Sequence, residues 1–268
     1  MSHLSFPGKV IIWKEGTLNC VDVAALAAYL RTKFKGVEVI GPCEIWDGIA
    51  EDEVTPVARA LAGSRVFKID SPLEKTGEKP LAGEVAVEER MIRGISEPTG
   101  MLYDALLLAG TYSASISASV AGKEFDPDSL HVVLTYRMIG TFERYDRRYH
   151  ARVSCCALPS IISTTGLVVA PAKPREYYLT KTIMRGGISE PELLKTIEGR
   201  YLDHDDERTT DVLKGYFLQA LFYHASGNPF CDDTSCRLYN AHWQEEMLTA
   251  QLGGGHELCR THREMLEF

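Results

Sequence analysis

Cys231 and Cys236 stand with four residues between them, and Cys259 and His262 with two. No other feature restricts the fold so tightly. Two close pairs of soft ligands separated by a loop are what a four-coordinate tetrahedral zinc requires. Either pair alone would bind weakly. Together they close a site and tie the C-terminal segments to one point. Cys231 and Cys236 lie among Asp232, Asp233, Thr234, Ser235 and Arg237, not in the apolar run that a buried packing thiol would occupy. The spacing predicts one structural zinc ion on Cys231, Cys236, Cys259 and His262, with His242 or His256 as substitutes for the fourth ligand. A closed set of four ligands leaves no position for a reacting water, so this site holds structure and does not itself catalyse.

The remaining sequence supplies a core for such a staple to act on. The chain has 268 residues, 45% of them hydrophobic and 25% charged, which is enough to bury a core without further cross-links. It is read as a single domain over 1–268, with 209–268 as a C-terminal helical zinc-binding portion. The opening "MSHLSFPGKVIIWKEG" has no basic start followed by a long apolar core, and the apolar runs are too short to span a membrane. Seven cysteines suit a reducing compartment, so the expectation is a cytoplasmic protein with no membrane partner. A formal net charge of −8 argues against broad nucleic-acid binding.

Apolar patterning predicts a mixed α/β fold, a sheet with helices on its faces. Strands are expected at Lys9–Trp13, Val37–Gly41, Ser64–Asp70 and Leu130–Met138, with a helix over Val21–Phe34 completing a parallel crossover. "GEVAVEERMIRG" and "TGMLYDALLLAG" read as helices. Ala151–Ala170 reads as two or three short strands broken by Pro159 and Gly166, with Cys155 and Cys156 pointing to opposite faces as packing residues. From Pro174 onward the chain reads as helical, including "TDVLKGYFLQALFYHASG" and further helices around Trp243 and Met265.

The stretch from Ala220 onward resembles the archaemetzincins, metzincin-type zinc peptidases whose motif is HExxHxxGxxHC. In that family a second cysteine follows four residues later and a CxxC pair lies near the C-terminus. Aligned on Cys231, the structural ligands fall on Cys231, Cys236, Cys259 and His262. The motif glycine falls on Gly227 and the middle histidine on His224. The first histidine position holds Ala220, the glutamate position Leu221 and the third histidine position Phe230. The resemblance implies a zincin-like fold with a degenerate catalytic motif and no catalytic residue. A single histidine does not retain a catalytic zinc, and a leucine takes no proton from water. Leu213, Phe217, Leu221 and His224 share one helix face, which makes His224 a buried core residue with a hydrogen-bonding neighbour from the sheet.

The leading expectation is therefore a zinc-binding protein of archaemetzincin-like fold that has lost peptidase activity and acts as a binding or scaffold protein for an unknown protein or peptide. One alternative is a hydrolase with a metal site rebuilt from His204, Asp205 and His224. Asp203, His204, Asp205 and Asp206 otherwise read as an acidic entry to the following helix. A weaker alternative is an RNA-binding protein. "FERYDRRYHAR" interleaves Arg144, Arg147, Arg148 and Arg152 with Tyr145 and Tyr149, a pattern that suits a single strand, an anion, a partner or a solvated edge strand.

Overall fold

The computed structural model describes residues 5–73, 79–96, 100–119, 126, 128–184, 187–255 and 257–266. Strand β1 (Lys9–Lys14) alternates its side chains between two cores. Val10 and Ile12 face one, Ile11 and Trp13 the other, and all four are fully buried. A strand apolar on both faces belongs in the middle of a parallel sheet covered on both sides. Here β1 pairs in parallel with β2 (Glu38–Glu44) and with β4 (Ser129–Thr135), which pairs in parallel with β8 (Ser160–Ser163). The short strand β7 (Ser154–Cys155) closes the edge antiparallel to β8, giving the order β2-β1-β4-β8-β7.

Helices α1 (Val23–Lys33) and α8 (Thr209–Ser226) cover one face through Leu26, Leu30, Leu213, Phe217 and Leu221. Helices α2 (Glu51–Gly63), α3 (Ala82–Ile92) and α4 (Ala105–Ala118) build the other core through Ala58, Leu61, Val85, Leu108 and Tyr112. Beside them lies a small sheet, β3-β5-β6, of Leu102–Asp104, Met138–Glu143 and Arg148–Arg152. The rest is helical: α5 (Thr164–Val169), α6 (Arg175–Ile183), α7 (Glu190–Lys195), α9 (Gln244–Leu252) and α10 (Arg260–Leu266). Among the described residues no helix is long and apolar enough to cross a membrane.

Several expected elements differ. Ser64–Asp70 is not a strand; only Arg65 bridges, to Tyr103, while Phe67 and Ile69 are exposed. Leu102–Asp104 is strand, and the helix that follows extends through the Ser/Ala-rich stretch. Leu130–Met138 divides between two sheets, because the chain turns at Tyr136 and Arg137. Gly166 does not separate strands. It lies in α5, where a Cβ would meet the Arg152 carbonyl at 2.3 Å, so only glycine lets this helix sit against β6. Ser163 caps α5 by accepting from Gly166 N–H at 2.8 Å.

The turn at Arg137 sits on a buried ionic network. Arg137 Nε donates to both Glu15 oxygens (2.9 and 3.0 Å), and its Nη1 donates to Glu88 (2.6 Å). Arg65 also pairs with Glu88 at 2.6 Å. Tyr103 donates to Glu88 (2.8 Å), and Tyr112 and Thr135 donate to Glu15 (2.7 and 2.6 Å). Buried charge is tolerated only with such compensation.

Candidate metal centre and the adjoining cleft

Helix α8 ends at Gly227, whose φ of +73° is the left-handed cap that glycine adopts without strain. Its N–H closes on the Tyr223 carbonyl at 2.7 Å. Asn228 then accepts from Phe230 N–H, and the chain arrives at Cys231. The loop from Cys231 doubles back, with Cys231 N–H donating to Leu238 O (2.9 Å) and Tyr239 N–H to Cys236 O (2.9 Å). Arg237 N–H donates to Glu257 O at 2.8 Å, which brings Cys259 and His262 to the same point.

The result is a cluster of Cys231, Cys236, Cys259 and His262 whose ligand atoms all lie within 4.8 Å of one another, and this cluster could hold a metal ion. Cys231 Sγ is 3.8 Å from Cys259 Sγ; His262 Nδ1 is 3.0 Å from Cys259 Sγ and 4.0 Å from Cys236 Sγ. The His262 ring is set by an edge contact with Phe222 of α8, centroids 5.1 Å apart at 85°. Burial pushes the Cys231 thiol up to about 12 and raises that of Cys236, and it lowers His262. Loading the site therefore means exchanging thiol protons for a cation. His242 is not in the cluster; it lines the neighbouring cleft. His256 lies outside the described residues.

That cleft, of about 510 Å³, runs between α8 and the sheet edge. Tyr216, Gln219 and Tyr223, one helical face, form its floor, and Phe230 and Tyr239 stand at its end. Ser154 to Cys156 form a wall. Val153 O accepts from Ser163 N–H at 2.8 Å, so Val153 faces β8. By antiparallel alternation the main-chain groups of Ser154 then face outward, along the free edge of β7. Burial raises the Cys155 and Cys156 thiols to about 11 and 12, which makes them packing groups and not nucleophiles.

The positions of the degenerate motif fall differently. Ala220 and Leu221 are buried in the first core, and Phe230 is 41% exposed in the cleft. His224 is half-buried, not largely buried, and no hydrogen bond joins its ring to a described residue. Burial lowers its pKa, partly countered by Asp128 ahead of β4. Asp203, His204 and Asp205 line a separate crevice with Thr17, Tyr136 and Thr209, at the carboxyl ends of β1, β4 and β8. Fifteen helical steps, about 22 Å of rise, separate Thr209 from His224, so His204, Asp205 and His224 do not meet. Arg152 pairs with Glu143, while Arg144, Arg147 and Arg148 have no carboxylate partner among the described residues. The aromatic floor is hidden in the sequence because Tyr216, Gln219 and Tyr223 flank the apolar stripe; their i, i+3, i+7 spacing is the available signal.

Fold and site together define a mixed α/β protein with a C-terminal Cys/His centre able to hold a metal and a cleft beside it. The chain belongs to the family described as "Probable metallopeptidase family (DUF6775)", which it matches over residues 7–268. That match supports a metallopeptidase-like family and does not single out the archaemetzincins. No curated protein and no solved structure matches the chain.

Proposed function

We propose that this member of the family is a zinc-stapled binding protein, without hydrolytic activity, that receives an extended peptide segment in the cleft beside α8. Zinc is the assignment that the donor set favours. Three thiols and an imidazole are borderline-soft ligands, and Zn–S bonds of about 2.3 Å in a tetrahedron put sulfurs about 3.8 Å apart. The Cys231–Cys259 separation is 3.8 Å. A closed Cys3His set stabilises the fold and supplies no water position.

The observation that carries the loss of hydrolysis is the residue chemistry along α8 and its cap. Ala220, Leu221 and Phe230 present no donor atom for a metal and no base for a water. Among the described residues the C-terminal cluster is the one group that could hold a metal, and it lies outside the cleft lining. What the cleft offers is a free strand edge, aromatic surface and volume. These suit strand addition, in which main-chain hydrogen bonds give affinity and side-chain pockets give selectivity.

The test is incubation of the zinc-replete full chain with a randomised peptide library. Binding without cleavage is expected. Chelator-sensitive cleavage that vanishes in His224→Ala would establish a working metal at His224 and refute the proposal.

A further inference from the structure

From the β5–β6 hairpin we infer that the cleft's ligand is an acidic peptide, whose carboxylates lie beyond the cleft on Arg144, Arg147 and Arg148. The inference rests on the cleft reading above and adds the partner's charge to it. In the antiparallel β5–β6 ladder Glu143 is directly opposite Arg148, and Thr141 opposite His150. Opposed residues share one face of a sheet. Thr141 and Glu143 line the cleft, so the face that walls the cleft carries Arg148 at its outer end. The turn that follows presents Arg144 and Arg147, both exposed, with Tyr145 82% exposed between them.

The acids of this hairpin are already engaged. Glu143 pairs with Arg152, and Asp146 pairs with His150 at 2.6 Å. Arg144, Arg147 and Arg148 are left with no ion-pair partner among the described residues. Arg147 moreover holds φ of +57°, a conformation in which glycine or asparagine is favoured. Three guanidinium groups without a carboxylate partner among the described residues, one on the face of the cleft wall and two in the adjoining turn, in a chain of net charge −8, form a local positive site that selects a carboxylate-bearing segment. The cleft has an outward strand edge along one wall, and Arg148 continues the face of the Thr141–Glu143 wall with Arg144 and Arg147 in the adjoining turn. Both features favour a peptide over a nucleic-acid strand.

Two dye-labelled randomised peptide libraries, one with a tetraglutamate tail and one with a tetraserine tail, test this by fluorescence anisotropy on the zinc-replete full chain. The glutamate-tailed library should bind about tenfold more tightly, as expected for three exposed ion pairs, and the preference should shrink as salt rises. Arg144→Glu/Arg147→Glu/Arg148→Glu should erase the preference while leaving binding of the serine-tailed library unchanged, which also shows that the variant is folded. Ser154→Pro, which removes the outward N–H of the edge strand, should weaken both libraries alike. Equal binding of the two libraries would overturn the acidic specificity and leave the cleft reading standing. Binding of neither would overturn the cleft reading and this inference with it. Tighter binding of single-stranded oligouridine than of the glutamate-tailed library would reassign the hairpin to nucleic acid.

Discussion

With zinc in the proposed centre, helix α10 depends on it in a way that can be measured. It is seven residues long, and none of those seven is buried. Isolated helices shorter than about 12–15 residues are marginal in water, so α10 has no stability of its own. It is held by Cys259 at its start, by His262 in its first turn and by the partial packing of Met265 and Leu266. Cys259→Ser removes one ligand and weakens the centre. Structural zinc sites release about 10–16 kcal/mol on binding, energy that appears as folding. If only about 4 kcal/mol of this orders α10, its amides should exchange about a thousandfold faster in the variant. Helix α8 should behave differently, since Val212, Leu213, Phe217, Leu218 and Leu221 are wholly buried in the first core. Hydrogen–deuterium exchange followed by mass spectrometry reads both segments in one experiment. The expected result is loss of protection over residues 260–266 with protection kept over 212–222. Unchanged protection of α10 in metal-free Cys259→Ser protein would refute the reasoning.

The Arg137 network supplies a second prediction. Arg137→Met leaves the fully buried Glu15 without its counter-charge, while Glu88 keeps Arg65, and should cost about 3–5 kcal/mol in urea unfolding. Adding Glu15→Gln should restore much of that, because Glu88 keeps Arg65 as its counter-charge, and a loss under about 1 kcal/mol in Arg137→Met would show the network to be dispensable. A third concerns acid. His131 is fully buried, stacked beside Trp13 and accepting from its Nε1 at 3.0 Å, and burial lowers its pKa to about 4. Its neutral form is favoured in the fold, so its contribution is complete above about pH 6.5 and is lost as pH falls from there through about 4. The loss should approach about 3 kcal/mol, and His131→Gln should flatten that limb of the stability profile; an unchanged acid limb would contradict the assignment.

How far these features are visible in the sequence depends on whether they are local. The alternation of Val10, Ile11, Ile12 and Trp13 marks a two-faced central strand because burial acts on each residue in turn. The metal cluster is legible because ligand spacing within each pair is local, and the two pairs need only one closure to meet. Ser64–Asp70 misleads because Val66, Phe67 and Ile69 read as strand, while Arg65 is claimed by Glu88 and the segment finds a partner strand only at one bridge. The β5–β6 hairpin is obscured by its charge, since Arg/Tyr alternation there reads equally as a loop. Thr164–Val169 looks β-branched and extended, and becomes helix through the Ser163 cap and the close approach of Gly166 to β6. The cleft is tertiary throughout: Tyr216 and Tyr223 come to line it together with Ser154 only after α8 docks against the sheet.

The account stands most directly on the metal content of the protein as purified under non-chelating conditions. Native mass spectrometry with elemental analysis should give one zinc ion per chain, and Cys231→Ser/Cys236→Ser should give none. A chain that folds fully without zinc would contradict the staple. A chain that retains two ions, one of them lost with His224→Ala, would contradict the absence of a catalytic centre.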